Sequence, residues 1–592
     1  MCGIAGLMTY DGAAPPLAAL HAMGEALRHR GPDGDGRYRS GDVGMVQTRL
    51  AIIDLATGDQ PLYEQGGAAL IANGEIYNYL ELRTDLCSTH STVFSSQSDC
   101  ELPLHLYRRY GLDFTTHLRG MYAIALHDPA AGHLVLTRDP FGIKPLYYAE
   151  TPRAFAFASE PGALIEAGIV SPQLVRSVRN ELLQMQFTTG RETIFAGINR
   201  VLPGETVVVR QGRIVERRRR EALPEGGPLL IDEEEALTRL DAALMASVRL
   251  HQRSDVPFGM FLSGGVDSTA LLVLMARLAE RPVKAFTIGF IGGIQPDERP
   301  AAHAAAIAVG AEHVEIVFGE ADFWRLLPET VSAVDDPAAD YAILPTWALA
   351  RAAHEAGLKV ILSGEGGDEL FGGYGRYRSA MRPWWAGGRT PRARGVLDGL
   401  GILRREIAGW RDGIAAAEVR NSGHRRTPLQ VAQAVDCADW LPNDLLIKLD
   451  RCLMAHSTEG RTPYLDIDAA ALAFCLPDEL KVKRGLGKCL LRRWLADNLP
   501  NSQPFARKRG FTVPVTNWIS ERAGEIGPLV ARSEAVQEIC SPDAVERLFS
   551  ATSNKRAARA AWNLLFYALW HRRHIERAIL PPDTMAALAQ ES

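Results

Sequence analysis

Short apolar runs separated by turn residues dominate the first third of the chain. They cover residues 43–46, 69–72, 122–126, 134–137 and 154–158. Asn-Gly and Ala-Gly pairs lie between them, and short apolar runs bounded by such pairs are typical of β-strands. The pattern predicts a sheet-rich domain with a few helices over residues 1–205.

The spacing of apolar residues changes near residue 233. Apolar residues recur at helical spacing over 236–250, and short apolar runs then alternate with helical stretches. The predicted strands are 258–262, 283–289, 314–318 and 360–363, and predicted helices begin at 268, 300 and 344. Such alternation is typical of an α/β domain with a parallel sheet, in which ligands bind beyond the carboxyl ends of the strands. Residues 233–592 are therefore assigned to a second domain.

Two arginine-rich segments interrupt this pattern. Residues 206–232 contain four consecutive arginines and a Pro/Gly-rich stretch, and they are predicted to be a linker. Residues 376–426 hold twelve arginines against four acidic residues. A nucleic-acid surface is one interpretation of that excess. The favoured interpretation is a surface excursion whose charge is balanced elsewhere in the protein.

Composition narrows the class of protein. Of the 592 residues, 47% are hydrophobic and 23% charged, and the net charge of −5 favours neither a nucleic-acid nor a membrane partner. The sequence contains neither an 18-residue apolar run nor a secretory signal. The eight cysteines form no Cys-x-x-Cys pair, so neither a zinc site nor a disulfide framework is expected. These features predict a reduced, cytoplasmic protein.

Cys2 is a candidate nucleophile because of its position directly after Met1. If Met1 is removed, Cys2 carries both a thiol and a free α-amine. The thiolate is the nucleophilic form of cysteine, and an amine with a pKa of about 8 can accept its proton. The alternative is that Cys2 is a small apolar core residue.

The sequence Ser-Gly-Gly-Val-Asp-Ser at 263–268 lies between a predicted strand and a predicted helix. Glycine N–H groups and a helix N-terminus form a pocket for phosphate oxygens. No Gly-Lys-Ser/Thr closes the loop, so it is not a Walker A motif. Asp267 within an anion pocket indicates a bound cation, since a carboxylate beside phosphate oxygens is the usual Mg²⁺ environment. The motif resembles the pyrophosphate loop of ATP pyrophosphatases.

A second glycine-rich loop, Ser-Gly-Glu-Gly-Gly-Asp-Glu at 363–369, follows another predicted strand. A structural turn does not require three carboxylates. We therefore interpret this loop as the facing wall of the same site, with Asp368 as the second Mg²⁺ ligand.

The ordered set of motifs resembles one enzyme family. Segments 2–4, 28–33, 73–78, 98–99 and 138–147 resemble class II glutamine amidotransferases. Segments 263–268, 363–369, 449–451 and 461–466 resemble the asparagine synthetase domain that accompanies them. The resemblance to glutamine-hydrolysing asparagine synthetases extends from residue 1 to about residue 518. It implies an N-terminal nucleophile (Ntn) hydrolase αββα sandwich followed by a parallel-sheet α/β ATP-pyrophosphatase (PP-loop) domain.

For the glutaminase domain, the resemblance implies that Cys2 attacks the glutamine carboxamide. Asn73 and Gly74 would form the oxyanion hole. The glutamine-binding residues that it implies are Arg49, Glu75 and Asp99.

For the second domain, the resemblance implies that Asp267 and Asp368 hold Mg²⁺. Glu365 would act in the acyl and ammonia chemistry, and Lys488 would stabilise charge on the leaving phosphates. A merely solvated Lys488 is the alternative. The ATP-binding residues that it implies are Leu262, Ser263, Gly264, Gly265, Asp267, Ser268, Ile288, Ser363 and Gly364.

The implied reaction combines two half-reactions. Glutamine is hydrolysed to glutamate and ammonia, while aspartate and ATP give β-aspartyl-AMP and pyrophosphate. Ammonia then displaces AMP to give asparagine, after travelling through an internal tunnel that excludes water. The expected partners are glutamine, ATP and aspartate, with Mg²⁺ as cofactor, no nucleic acid, no membrane, and a homodimer as the assembly.

Two segments depart from the usual family pattern and leave the acceptor open. Residues 335–345 lack the Thr/Arg-containing segment of the best-known bacterial enzymes, and residues 457–460 lack their Leu-Glu-x-Arg frame. Both segments are candidates for the acceptor site. One alternative is therefore an amidotransferase for another carboxylate, such as a modified peptide or a sugar acid. The others are a tRNA thiolase, which would need a cysteine pair near the loop and a basic face, and a non-catalytic interaction protein.

Overall fold

The computed structural model describes residues 2–64, 66–291, 297–382, 385, 388, 391–423, 425–506 and 513–590. The first domain contains twelve strands and five α-helices within these residues. In chain order they are β1 (Cys2–Thr9), α1 (Leu17–Ala26), β2 (Gly34–Ser40), β3 (Val43–Arg49), β4 (Leu62–Tyr63), β5 (Ala69–Ile76), α2 (Tyr79–His90), α3 (Leu102–Tyr110), β6 (Gly120–Asp128), β7 (His133–Arg138), β8 (Tyr147–Glu150), β9 (Ala154–Ala158), α4 (Pro161–Glu166), α5 (Arg176–Met185), β10 (Ile198–Arg200), β11 (Glu205–Arg210) and β12 (Arg213–Arg219).

These strands form two six-stranded antiparallel sheets that pack face to face. The first has the order β10-β8-β9-β1-β3-β2, and the second has the order β12-β11-β7-β6-β5-β4. Ile4, Met45, Ile71 and Leu136 belong to the buried cluster between them. Helices α1, α4 and α5 cover the outer face of the first sheet, and α3 covers the second. The domain is thus an αββα sandwich, which confirms the predicted fold class.

The predicted linker begins later than the sequence indicated. Residues 206–219 are not a linker, because β11 pairs with β7 and β12 pairs with β11 at the edge of the second sheet. The pattern was obscured by the arginines of β12, whose side chains are mostly exposed because β12 is an edge strand. Arg217 nevertheless pairs with the buried Glu205 across the two strands, at 3.0 Å.

The second domain is mostly helical around one parallel sheet. In chain order its elements are α6 (Glu233–His251), β13 (Phe258–Phe261), α7 (Val266–Leu278), β14 (Lys284–Phe290), α8 (Arg299–Val309), β15 (Glu312–Phe318), α9 (Glu320–Ala333), α10 (Ile343–Glu355), β16 (Val360–Leu362), α11 (Gly367–Leu370), α12 (Gly375–Ala380), α13 (Asp412–Asn421), α14 (Pro428–Val435), α15 (Leu446–Met454), β17 (Glu459–Arg461), α16 (Ile467–Cys475), α17 (Asp478–Lys481), β18 (Val482–Lys483), β19 (Leu486–Gly487), α18 (Cys489–Asn498), α19 (Val515–Glu521), α20 (Ala523–Arg532), α21 (Glu534–Gln537), α22 (Pro542–Ser550), α23 (Lys555–His574) and α24 (Thr584–Ala589).

The parallel sheet has the order β15-β14-β13-β16-β17. The chain runs from β13 to β14 and β15 on one side and then returns to β16 on the other. A crevice forms at such a reversal of strand order, beyond the carboxyl ends of the strands. The loops after β13 and β16 therefore meet at the switch point. The pattern did not predict β17, because its three residues, Glu-Gly-Arg, carry no apolar signal.

Local sequence explains the helices that border this crevice. Helix α6 begins at a capping residue, Asp232, whose carboxylate accepts the backbone N–H of Glu235 at 2.9 Å. Helix α7 follows the loop after β13, and an almost unbroken apolar run buries it between neighbouring elements. None of the helices within the described residues is both long and apolar enough to cross a membrane.

Part of the arginine-rich excursion packs against the rest of the second domain. Helices α12 and α13 belong to it, and the Arg376 guanidinium lies between the rings of Tyr374 and Trp440, 3.9 and 4.1 Å from their centroids. Arg376 and Arg392 both pair with the buried Asp436, at 2.8 and 2.6 Å. Asp436 thus balances part of the positive charge of the excursion.

Buried ion pairs hold the two domains together. Arg30 pairs with Asp450 at 2.8 Å, and Arg200 pairs with Asp336 at 2.6 Å, all four side chains being at most 3% exposed. Tyr147 also donates its hydroxyl to Asp336 at 2.8 Å. Opposite charges buried in this way depend on one another for solvation.

We expect Asp336→Ala to destabilise the protein by roughly 3–5 kcal/mol, because it leaves the Arg200 guanidinium buried without its carboxylate. The measurement is the thermal unfolding midpoint. The matched control is Asp468→Ala, which removes a 66% exposed carboxylate from Arg119 and should cost less than about 1 kcal/mol. Equal shifts in the two variants would contradict the importance of the buried pair.

Candidate functional site

Cys2 begins β1 and lies opposite Arg49 in the register of β3. Its side chain is buried, and its backbone N–H donates to Asn73 Oδ1 at 3.1 Å. Burial raises the pKa of the Cys2 thiol, so forming the thiolate requires a nearby group that accepts the proton. Met1 lies outside the described residues.

Asn73 and Gly74 are consecutive residues of β5, which belongs to the sheet that faces the sheet of the Cys2 strand. Because Asn73 Oδ1 accepts the Cys2 N–H, its Nδ2 is left as a donor, and this buried atom has no hydrogen-bond partner among the described residues. A Cβ at Gly74 would lie 2.1 Å from the carbonyl oxygen of Met121. Only glycine fits there, and the Asn73 amide is a donor that an oxyanion would satisfy.

Gln47 is a residue of this site that the sequence analysis missed. It lies on β3 two residues before Arg49, so the two side chains share a face of the strand. A side-chain hydrogen bond from Gln47 lowers the pKa of the Cys2 thiol against the larger effect of burial. Both polar atoms of its amide are otherwise without a partner within the described structure. The signal in the sequence is a polar residue at a buried position of a central strand.

The three predicted glutamine-binding residues lie around Cys2, and they differ in their burial and in their ion pairs. Arg49 pairs with Asp59 at 2.6 Å, and Asp59 is 82% exposed, so an incoming carboxylate can replace it. Glu75 and Asp99 are both buried. Burial raises the pKa of Asp99 to about 6, and burial together with the Asp99 charge raises the pKa of Glu75 well above its usual range. A pair of buried carboxyl groups with raised pKa values favours a cationic ligand.

The loop after β13 is held by hydrogen bonds between its own serine residues. Ser268 Oγ accepts the Ser263 N–H at 3.1 Å and lies 3.0 Å from Ser263 Oγ. Gly264 has a φ of +67°, and a Cβ there would meet the backbone nitrogen of Ala302 at 2.9 Å. The glycine thus allows the loop to pack against α8, with the N-terminus of α7 at its end.

The loop after β16 lies directly against the first one. A Cβ at Gly364 would contact the Asp267 side chain at 3.3 Å, and one at Gly367 would approach it to 2.7 Å. The Ser363 N–H donates to the carbonyl oxygen of Arg461 at 2.8 Å, which ties the loop to β17. The structure therefore brings together the two loops that the sequence analysis assigned to one site.

Lys488 lies where the two loops meet. Its Nζ pairs with Asp267 and lies 2.7 Å from Asp368 Oδ1. Burial opposes its charge, but the two carboxylates outweigh burial and raise the pKa of Lys488. The lysine is buried, so the solvated alternative is wrong.

All of the predicted residues of the second domain line one cavity of about 1830 Å³. Residues 184–187 of the first domain form part of its wall. The predicted residues of the second domain that line the cavity are Leu262, Ser263, Gly264, Gly265, Asp267, Ser268, Ile288, Ser363, Gly364, Glu365, Asp368 and Lys488.

The cavity contains a second lysine, which the sequence analysis missed. Lys448 Nζ lies 2.9 Å from Asp340 Oδ2 and 4.0 Å from Glu365 Oε1. Burial raises the pKa of Glu365 and the charge of Lys448 opposes that shift. Seven arginines also line the wall. They are Arg376, Arg378, Arg392, Arg394, Arg492, Arg556 and Arg559.

Only part of the two divergent segments reaches this cavity. Residues 340–342 line it, whereas Asp336 binds Arg200 of the first domain and Asp335 accepts the Gly162 N–H at 2.8 Å. Residues 457–460 are not among its described lining residues. Glu459 of β17 instead pairs with Arg461, which contacts Glu75 of the first domain.

Arg461 touches both sites. Its Nη2 lies 3.5 Å from Glu75 Oε1 in the first domain, and its carbonyl oxygen accepts the Ser363 N–H of the second loop. Its Nη1 also donates to the carbonyl oxygens of His251 and Arg253, at 2.8 and 2.6 Å. These bonds fix one residue between the two groups of candidate residues.

Family models match both parts of the chain. The model described as asparagine synthase matches residues 239–572, and the glutamine amidotransferase domain matches residues 1–219. Among solved structures, a glutamine phosphoribosylpyrophosphate amidotransferase from B. subtilis covers 53% of this chain and 65% of its own. It is 19% identical to this chain, with a TM-score of 0.28.

Curated relatives match over nearly the whole length. The asparagine synthetase [glutamine-hydrolyzing] 1 of Bacillus subtilis is 31% identical, with 98% of each chain covered. The putative asparagine synthetase [glutamine-hydrolyzing] of Mycobacterium tuberculosis is 33% identical with the same coverage. The amidase chry2 of Gibberella zeae is 31% identical over 64% of this chain and 60% of its own. With both domains matched in order, the chain belongs to the family of glutamine-hydrolysing asparagine synthetases.

Proposed function

We propose that this enzyme transfers the amide nitrogen of glutamine to the side-chain carboxylate of aspartate, with conversion of ATP to AMP and pyrophosphate. The carrying observation is that Lys488, Asp267 and Asp368 meet at the strand switch point of the same chain in which Cys2 faces Asn73. The names of relatives that match over 98% of the chain support aspartate as the acceptor.

In the proposed glutaminase step, the Cys2 thiolate attacks the carboxamide carbon of glutamine. The proposal requires removal of Met1, which leaves the Cys2 nitrogen as an amine that takes the thiol proton and passes it to the leaving ammonia. Asn73 Nδ2 would donate to the oxyanion. Water then cleaves the thioester and releases glutamate.

The α-carboxylate and α-ammonium group of glutamine would bind at opposite sides of Cys2. The Arg49 guanidinium suits the carboxylate, because its planar donors match two oxygens and the carboxylate that it pairs with, Asp59, is exposed. The ammonium group would lie against Asp99 and Glu75. It would relieve the unfavourable burial of two neighbouring acids, a role that their raised pKa values support.

In the proposed synthetase step, an aspartate carboxylate oxygen attacks the α-phosphorus of ATP. The bond to the bridging oxygen breaks, and pyrophosphate leaves onto the N–H groups of the loop at 263–268. Lys488 would neutralise the charge that develops on the leaving oxygens. Ammonia then attacks the acyl carbon, and AMP departs. Glu365, which lies 4.0 Å from Lys448 Nζ, would take up the released proton.

Asp267 and Asp368 would hold Mg²⁺. Both carboxylates lie within glycine-rich loops and share one cationic partner, Lys488, and hard oxygen donors of this kind fit Mg²⁺. When bound, the ion supplies positive charge to the phosphates.

A different carboxylate acceptor is the second candidate, and the arginines of the cavity wall favour it. Arg559 donates to Gln186 Oε1 of the first domain, and Arg394 and Arg556 line the same wall. Guanidinium groups are suited to carboxylate and phosphate oxygens. An acceptor that carries further anionic groups would use them.

We also propose that the enzyme acts in the cytoplasm as a homodimer. Free buried thiols such as Cys100, Cys437 and Cys452 suit a reducing compartment. Sedimentation against the chain mass of 64.7 kDa measures the assembly.

Cys2→Ala is expected to abolish glutamine hydrolysis and to leave ammonia-dependent synthesis active, because it removes the nucleophile without touching the second cavity. Glutamate formation and amide formation from ammonium are the two measurements. Cys87→Ala, which changes an exposed cysteine on α2, is the control that should keep both activities. Intact-mass analysis that finds Met1 retained in the active enzyme would refute the proposed role of Cys2.

Glutamine binding to Cys2→Ala is expected to weaken by about tenfold from pH 7 to pH 5, since protonating a group of pKa about 6 removes its attraction for an ammonium group. Calorimetric titration at each pH measures the dissociation constant. Circular dichroism at pH 5 must show an intact fold. A dissociation constant that does not change with pH would remove Asp99 from the binding site.

With ammonium, ATP, Mg²⁺ and aspartate, we expect asparagine, AMP and pyrophosphate in equal amounts. Pyrophosphate release and product mass are the measurements, with a panel of other carboxylates run in parallel. Asp267→Asn should slow release at least about 100-fold, the scale of several kcal/mol of lost transition-state stabilisation. Release from aspartate no faster than without any acceptor, in enzyme with active glutaminase, would exclude aspartate in favour of another carboxylate.

A further inference from the structure

Two histidines and a glutamate converge on the surface of the second domain, outside the cavity. His303 lies on α8, while His313 and Glu315 lie two residues apart on the same face of β15. The two Nδ1 atoms are 3.2 Å apart, and Glu315 Oε1 lies 3.6 Å from His313 Nδ1 and 3.9 Å from His303 Nδ1. We propose that these three side chains bind a divalent transition metal ion of the Zn²⁺ type.

The spacing of the three atoms fits one ion. Ligands of a tetrahedral zinc ion, at about 2.0–2.2 Å from the metal, lie roughly 3.3–3.5 Å from one another. The observed separations differ from that by at most a few tenths of an ångström, which rotation of the 40% exposed Glu315 side chain closes. Two imidazoles and one carboxylate form a donor set that suits zinc better than Mg²⁺.

A hydrogen-bond chain sets the His313 tautomer that a metal requires. Thr287 Oγ1 donates its one hydrogen to the carbonyl oxygen of Leu262 at 2.6 Å. At 2.8 Å from His313 Nε2, the same oxygen must therefore accept, so Nε2 carries the proton and Nδ1 presents a lone pair. Metal-binding histidines are oriented by such a bond from the nitrogen that does not bind the metal.

Without a metal, His303 can donate from Nδ1 to His313. Metal binding requires His303 to carry its proton on Nε2 instead, and this side chain is 55% exposed, so water can solvate that nitrogen. His313, by contrast, is 5% exposed and fixed by Thr287. The site thus combines one fixed ligand with two that can adjust, and it leaves a fourth position for water.

The site connects to the pyrophosphate loop through two contacts. Leu262, which accepts from Thr287, directly precedes Ser263, and the first turn of α8 packs against Gly264. A metal that joins His303 to β15 would hold α8 against the sheet beside that loop. The role inferred for the ion is structural, and it does not depend on which carboxylate the enzyme amidates.

We expect the chelator-treated enzyme to bind one Zn²⁺ ion that His303→Ala fails to bind, or binds at least tenfold more weakly. Zinc chloride titration by calorimetry measures the affinity, and visible absorption of added Co²⁺ reports a tetrahedral site with nitrogen donors. Thr287→Val keeps all three ligands but removes the acceptor of the His313 proton, and it should weaken binding by about tenfold.

His90→Ala is the matched control, because His90 is an exposed histidine at the end of α2. It should bind zinc like the unchanged enzyme. Glu315→Gln, an exposed change, serves as the second variant if Thr287→Val does not fold, and it too should weaken binding at least tenfold. Equal stoichiometry and affinity in the unchanged enzyme and His303→Ala would overturn the proposal, as would no zinc binding at all.

Discussion

Charge buried between the two domains is the constraint on which the rest of the structure depends. Arg30 and Arg200 of the first domain pair with carboxylates of the second domain. In the opposite direction, Arg461 of β17 lies against Glu75 of the first domain. An ion removed from water keeps its solvation only if its partner stays in place. The pairs therefore specify one relative position of the domains, and a displaced arrangement would leave several charges buried without compensation.

That fixed arrangement gives the two sites a common boundary. Arg461 contacts Glu75 with its side chain and the Ser363 loop with its backbone. One residue therefore contacts both sites. Residues 184–187 of the first domain also line the cavity of the second. This shared boundary matters for a reaction that must carry ammonia between the two sites, because ammonia that reaches water is protonated and no longer attacks an acyl carbon.

Much of the candidate site could be predicted because its chemistry depends on short local motifs. Gly264 and Gly74 belong to such motifs, and the structure shows that a Cβ at either position would collide with backbone atoms. The apolar strands of both domains were visible for the same reason. Gln47 and Lys448 were not, since one polar residue in a strand or helix acquires meaning only from what it faces.

The sequence by itself determined the order of the domains, the strands that carry apolar runs and the glycine loops, because these follow from local motifs and periodicity. Tertiary structure alone decided the extent of the first domain, where β12 with its exposed arginines pairs at the edge of a sheet. It also decided that Asp335 and Asp336 serve the interface while Asp340 serves the cavity. The physical reason is that partners such as Arg200 and Asp336 lie far apart in the chain, and no local pattern encodes which charges become neighbours on folding.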